Sequence, residues 1–438
     1  MYKITFMGAG STIFAKNVIG DTMCCEPFHD AEFALYDIDS DRLEESYIMI
    51  DALNKSINGG KAKITKHLGI PERKNALAGA DFVVNAIQVG GYEPCTVIDF
   101  EIPKKYGIRQ TIGDTLGIGG IFRALRTIAV MRGFAEDIEE VCPDAWFLNY
   151  TNPMAMLSGY MQRYVKTVGL CHSVQTCSAG LLDSLGMKDK IEGRRDLIAG
   201  INHMAWLLKL TDRDGNDLYP EIRRRAKEKN AAGKHHDMVR YDYIDKLGYY
   251  CTESSEHNAE YSALYIKPGR EDLIEKFNIP LDEYPHRCID QIAGWKKQKE
   301  EILGTGKIGH TRSREYASHI MEAMVTDVPY RIGGNVINHG CIENLPAEAC
   351  VEVPCMVDGR GISPTYVGRL PVQCAAMNMI DINCQLLTVD AAYEKSMERV
   401  CQAAMLEPHT AAQLSTDEIV SLCYELKEAH EKAGFPIF

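Results

Sequence analysis

Ile4-Thr5-Phe6-Met7-Gly8-Ala9-Gly10-Ser11-Thr12, close to the start of the chain, is the stretch that decides the fold. Its apolar run reads as a buried strand, and two glycines follow at once. Gly8 permits a tight turn. Gly10 lets the backbone approach a pyrophosphate seated at the N-terminus of a following helix, which Ser11 and Thr12 would open. A third glycine would fall at Ile13, so the motif is incomplete. The next strand adds the missing weight, because it ends in Tyr36-Asp37-Ile38-Asp39. An acid at Asp37 can accept hydrogen bonds from an adenosine ribose and would repel a 2′-phosphate, which selects NAD over NADP. Asp39 or Ser40 is then left to cap the next helix.

Working outward, apolar runs at 33–36, 82–86, 145–148 and 167–170 alternate with helical spacing at 41–58 and 121–138. Such alternation builds a parallel sheet covered on both faces. Near residue 196 the pattern changes. Strand material surrounds Ile201-Asn202-His203-Met204-Ala205-Trp206, and Asp212-Arg213-Asp214-Gly215-Asn216 is a strong turn signal. The expected fold is α/β: an N-terminal Rossmann domain over residues 1–195, then a C-terminal α+β domain over 196–438 that carries substrate, metal and oligomer contacts.

The 438 residues are 45% hydrophobic, enough for a sizeable core. A net charge of −13 speaks against nucleic acid and anionic membranes as partners. No run approaches the roughly 18 apolar residues of a membrane span. Met1-Tyr2-Lys3 leads straight into a strand, so no secretory leader is expected. Fifteen scattered cysteines without a Cys-x-x-Cys pair suit free thiols in a reducing cytoplasm rather than a zinc ribbon.

Ligands in this fold class bind beyond the carboxyl ends of the strands, and those ends are polar here. They carry Asn85 and Gln88, Asn149 and Asn152, and Cys171 and His172. Asn152 before Pro153 also reads as a helix cap. The Gly-rich segment 111–120 holds Asp114 and precedes Arg123 and Arg126; it suits an anion site or a lid, and its spacing is not that of a P-loop. Cys171 and His203 offer a thiolate and an imidazole, a pair that suits a first-row divalent ion with open positions. Read alone, the pair is a weak signal, since a lone buried Cys and a lone His are more often inert core residues.

Taken together these motifs resemble glycoside hydrolase family 4 over essentially the whole chain. The resemblance rests on GAGST (8–12), QVGGYEPC (88–95), TIGDTLGIGGIFRALRT (111–127), NYTNPMAM (149–156), GLCHSVQ (169–175), GINHMAW (200–206), TESSEHNAEY (252–261) and SREYAS (313–318). It implies a lactate/malate dehydrogenase-like Rossmann half and a cycle run with NAD and a divalent metal, Mn²⁺ by expectation. In that cycle sugar C3 is oxidised, the C2 proton is removed, the aglycone is expelled, water adds, and the hydride returns. The Cys-His-Ser-Val form of 171–174 is similar to the branch acting on α-galactosides such as melibiose. An α-galacturonidase and a hydroxy-acid dehydrogenase are the alternatives.

The resemblance also implies roles. Cys171 and His203 would hold the metal. Asn152 and Arg314 would bind the sugar. Asp114 would approach sugar and metal. Tyr261 would be the C2 base, with His257 and Glu260 as substitutes, and His172 would stand where phospho-sugar relatives place an acid. Gly8, Gly10, Ser11, Thr12, Asp37, Asn85, Gln88 and Asn149 would serve NAD. A homodimer or homotetramer is implied as well.

Overall fold

A computed structural model describes residues 1–305 and 309–438, apart from the side chains of residues 12 and 295–305. Strand β1 (Lys3–Met7) pairs in parallel with β2 (Glu32–Asp37) on one side and β4 (Phe82–Asn85) on the other. Beyond β2 lies β3 (Lys63–Leu68); beyond β4 lie β5 (Trp146–Asn149) and β6 (Thr167–Gly169). The order β3-β2-β1-β4-β5-β6 is that of a dinucleotide-binding sheet, with its switch point between β1 and β4.

The sheet does not stop there. Strand β10 (Tyr330–Ile337) pairs antiparallel with β6, and β11 (Cys350–Asp358), β7 (Arg195–Ile201), β8 (Met204–Thr211) and β9 (Tyr250–Cys251) follow. With β12 (Gly361–Pro364) on β11, the sheet has twelve strands. Residues on both sides of position 195 therefore share one sheet. They also share one core, in which Phe6 and Phe122 belong with Trp206 and Leu422. The strand material around 201–206 is a hairpin, β7–β8, whose tip is Asn202-His203.

Local chemistry explains the element ends. Asp39 caps the helix Ser40–Asn58 by accepting from the N–H of Asp41 and Arg42, and Gly59 ends it at φ 63°. This leaves Asp37 free of capping. In the Asp212–Asn216 turn, the Asp212 carboxylate accepts from the N–H of Asp214 and Asn216 at 3.0 Å each.

Candidate active site

The carboxyl ends of β1, β2 and β4 open into a cavity of about 860 Å³ lined in part by Gly8, Gly10, Ser11, Asp37 and Gln88. Gly8 sits at φ 84°, and a Cβ there would stand 2.8 Å from the Ala86 carbonyl oxygen. Only glycine lets the β1 and β4 loops approach this closely. The Gly10 N–H donates to Asp37 Oδ2 at 2.6 Å, and the Asp39 N–H to Oδ1 at 3.0 Å. Asp37 is thus held at the cavity wall. Ser11 Oγ is buried without a protein partner. A glycine turn, a fixed acid and an unsatisfied hydroxyl fit a dinucleotide. Thr12 opens the helix Thr12–Met23; its side chain lies outside the described residues.

Asn85 and Asn149 end β4 and β5, the strand ends to which the sequence reading assigned them. Both are fully buried behind the cavity wall, where Asn85 Nδ2 donates to Asn149 Oδ1 at 2.9 Å. Asn149 also donates to Ser158 Oγ and the Thr151 carbonyl, both at 3.1 Å. Their amides tie β4 to β5, and Asn85 Oδ1 is left buried without a hydrogen-bond partner.

A second constellation lies past β6. Cys171 precedes the helix His172–Ser184, His203 occupies the hairpin tip, and Glu253 follows β9. One ligand atom from each lies within 4.8 Å of the others. His203 and Glu253 both sit in the left-handed region, at φ 65° and 68°. Each such residue costs about 1–3 kcal/mol, a strain that persists where function requires it. Burial, then the charges of Glu352 and Glu253, push the Cys171 thiol up. A divalent cation would reverse that balance and hold the thiolate. One thiol, one imidazole and one carboxylate with room between them fit such an ion. Sequence reasoning missed Glu253; its residue type was the only signal, in a stretch with several other acids.

Around this cluster stand the remaining polar groups. Asn152 Nδ2 donates to Asp114 Oδ2 at 3.3 Å and does not cap the helix Met154–Met161, so the capping alternative is set aside. Asp114 faces His257 Nε2 at 3.7 Å, and His257 Nδ1 lies 3.6 Å from Glu253. Burial works to raise the Asp114 carboxyl, but the His257 hydrogen bond and the Arg123 charge outweigh it and hold it well below the carboxylate range. The Tyr261 hydroxyl lies 3.1 Å from His203 Nδ1. Burial, with Asp114, Glu260 and Glu253 nearby, pushes its phenol well up. Glu260 is committed to the Gly-rich loop, accepting from the N–H of Thr111 at 2.7 Å and Gly113 at 2.8 Å, so it is a poor substitute base.

His172 Nε2 meets Glu315 Oε2 at 2.5 Å, and the Tyr150 hydroxyl donates to Glu315 Oε1 at 2.8 Å. Hydrogen bonding to Glu315 raises the imidazole. Glu315 also escaped the sequence reading, because a separation of 143 positions along the chain hides the pair. Arg314, next to it, lines a different cavity of about 320 Å³ with Gln175 and Arg331.

Two family models match the chain. The family 4 glycosyl hydrolase model covers residues 3–187, and that of the C-terminal domain of the same family covers 198–410. The chain belongs to glycoside hydrolase family 4. This family 4 hydrolase is 57% identical to an alpha-galactosidase of Bacillus subtilis over 98% of each chain. It is 27% identical to an alpha-galacturonidase of Thermoanaerobacter italicus, over 93% of this chain and 91% of that one. A crystal structure of a 6-phospho-alpha-glucosidase from gut microorganisms, in complex with NAD and Mn²⁺, superposes with a TM-score of 0.78 at 22% identity, covering 99% of each chain.

Proposed function

We propose that this family 4 hydrolase is an α-galactosidase that works with NAD and a divalent metal. The observation that carries the reading is the convergence of Cys171, His203 and Glu253 beside Asp114, Asn152 and Tyr261. The 57% identity to the Bacillus subtilis alpha-galactosidase supports the choice of sugar. When bound, NAD supplies a hydride acceptor and donor for sugar C3, and the metal, Mn²⁺ as in the gut-microbial complex, supplies Lewis acidity at the sugar hydroxyls. Cys171, His203 and Glu253 would hold the metal; Gly8, Gly10, Ser11, Asp37 and Gln88 would hold the dinucleotide.

The chain's own residues divide the remaining work. Asn152 and Asp114 position sugar hydroxyls. Tyr261 takes the C2 proton. Its environment favours the neutral phenol, and a cation held by Cys171, His203 and Glu253 would offset the surrounding carboxylates. His172 turns Nε2 to Glu315, so Nδ1 is the nitrogen available to protonate the departing aglycone oxygen. A plain hydroxy-acid dehydrogenase would leave Cys171 and Glu253 without a task. A galacturonide would need one more cation near C6. The test is the rate of sugar release from α-galactosides against α-galacturonides. A preference for galactosides of at least about tenfold is expected, and the reverse preference would overturn the choice of sugar.

Fifteen unpaired thiols support a reducing, cytoplasmic setting. No helix among the described residues is long and apolar enough to cross a membrane. We further propose a homodimer or homotetramer. The helix Val372–Glu394 exposes Val372, Ile380 and Tyr393, and light scattering on purified protein would read the mass.

A further inference from the structure

The last helix, Thr416–Lys432, is joined to the interior by a chain of buried polar groups. His430 Nε2 meets Asp99 Oδ1 at 2.9 Å. Asp99 accepts from Arg126 Nη1 and Nη2 at 3.0 and 2.6 Å, and Arg126 Nε donates to the Val89 carbonyl at 3.3 Å. His430, Asp99 and Arg126 are 0%, 2% and 1% exposed. Outside them, Lys105 and the Tyr106 hydroxyl hold Glu425 at 2.5 and 3.0 Å. The helix end is therefore fixed relative to the loop that follows β4, the loop that carries Gln88.

The way the helix ends directs what comes next. The Gly434 N–H donates to the Glu431 carbonyl at 3.0 Å and the Phe435 N–H to the His430 carbonyl at 2.9 Å. With Gly434 at φ 86°, this is a Schellman stop, and it turns the chain sharply back. Ile437, 1% exposed, anchors the turned segment in the main core. Residues 434–438 then line the same cavity of about 860 Å³ as Gly8, Ser11 and Asp37. Phe435 lies over Gly90, where a Cβ would stand 3.6 Å from its Cγ.

We propose that residues 434–438 form a wall of the dinucleotide site and that Phe435 positions the cofactor. The inference rests on the reading of that cavity as the NAD site. The Rossmann half alone then leaves one side of the cavity open, and the segment that follows the last helix closes it with an apolar, aromatic surface. An aromatic ring against a dinucleotide contributes through buried area and ring contact.

Calorimetric titration of NAD⁺ and, separately, Mn²⁺ into the cofactor-free protein tests this, using the parent chain, Phe435→Ala and a deletion of residues 435–438. Both variants should bind NAD⁺ with a Kd raised by about tenfold or more, while the Mn²⁺ Kd stays within about twofold. An NAD⁺ Kd unchanged in both variants would overturn the wall. So would a parallel loss of Mn²⁺ affinity, which would mean that the segment acts through the fold. Failure of the parent chain to bind NAD⁺ would instead bring down the cofactor reading on which the wall rests.

Discussion

Removing one donor at a time shows whether Cys171, His203 and Glu253 act as a set. Cys171→Ser and Glu253→Gln should each weaken Mn²⁺ binding by on the order of 100-fold or more, since even outer partners of metal ligands are worth 10–100-fold. Calorimetry reads this directly, and full affinity in either variant would remove that residue from the site. Tyr261→Phe should abolish exchange of the C2 hydrogen with solvent deuterium and slow turnover by about 10²–10⁴-fold. Retained exchange would point to His257, since Glu260 is occupied by backbone N–H groups. The His172–Glu315 pair predicts a pH effect. Its hydrogen bond to Glu315 raises His172, a contribution to stability present below about pH 6.5 and lost as pH rises through the raised value. Burial pushes Glu315 up, but the His172 hydrogen bond and charge hold it down, a contribution present above about pH 4.3 and lost as pH falls through the lowered value. The pair therefore stabilises most between these limits. Glu315→Gln should let His172 fall, moving the alkaline limb of kcat/KM to lower pH; an unmoved limb would take the acid role from His172.

Elements were legible where periodicity and turn chemistry agree, and obscure where neither signals. Gly8 and Asp37 could be read because a tight turn and a ribose acceptor demand those residue types. Strand β3 could not. It lies at the sheet edge, and Lys63-Ile64-Thr65-Lys66-His67-Leu68 alternates toward solvent, with Lys63 paired to Glu32 at 2.8 Å and Lys66 to Glu44. Edge lysines of this kind block pairing with another chain and erase the apolar run that marks a buried strand. The pairing of Asn85 with Asn149 was not legible, because a polar strand end looks the same whether it faces a ligand or ties two strands together. Glu253 and Glu315 join the site through loops, where no period constrains them. One element-scale expectation concerns the last helix, whose N-terminus is a capping box between Ser415 and Glu418. Ser415→Ala should cost about 1 kcal/mol in urea unfolding and leave Mn²⁺ affinity unchanged. No loss of stability would show that the cap contributes nothing.

At the scale of the molecule, the two expected halves share a sheet, because β10 continues from β6 and brings β11, β7 and β8 with it. This continuity sets the Cys171 end of the parallel strands beside the His203 hairpin, where the two residues meet Glu253. Sequence patterning could show where parallel strands gave way to other pairing. It could not show that the sheet continues, since the pairing of Asn335 with Gly169 spans 166 residues and leaves no periodic trace. In the proposed cycle cofactor and metal act together and neither is consumed. The measurement that reaches it most directly is hydrolysis of p-nitrophenyl α-galactoside by protein stripped of metal and cofactor, with NAD⁺, Mn²⁺ and a thiol reductant added singly and together. Cleavage only with the combination, and without net NADH, is the expected result. Cleavage by the stripped protein alone, or NADH accumulating in step with substrate loss, would contradict it.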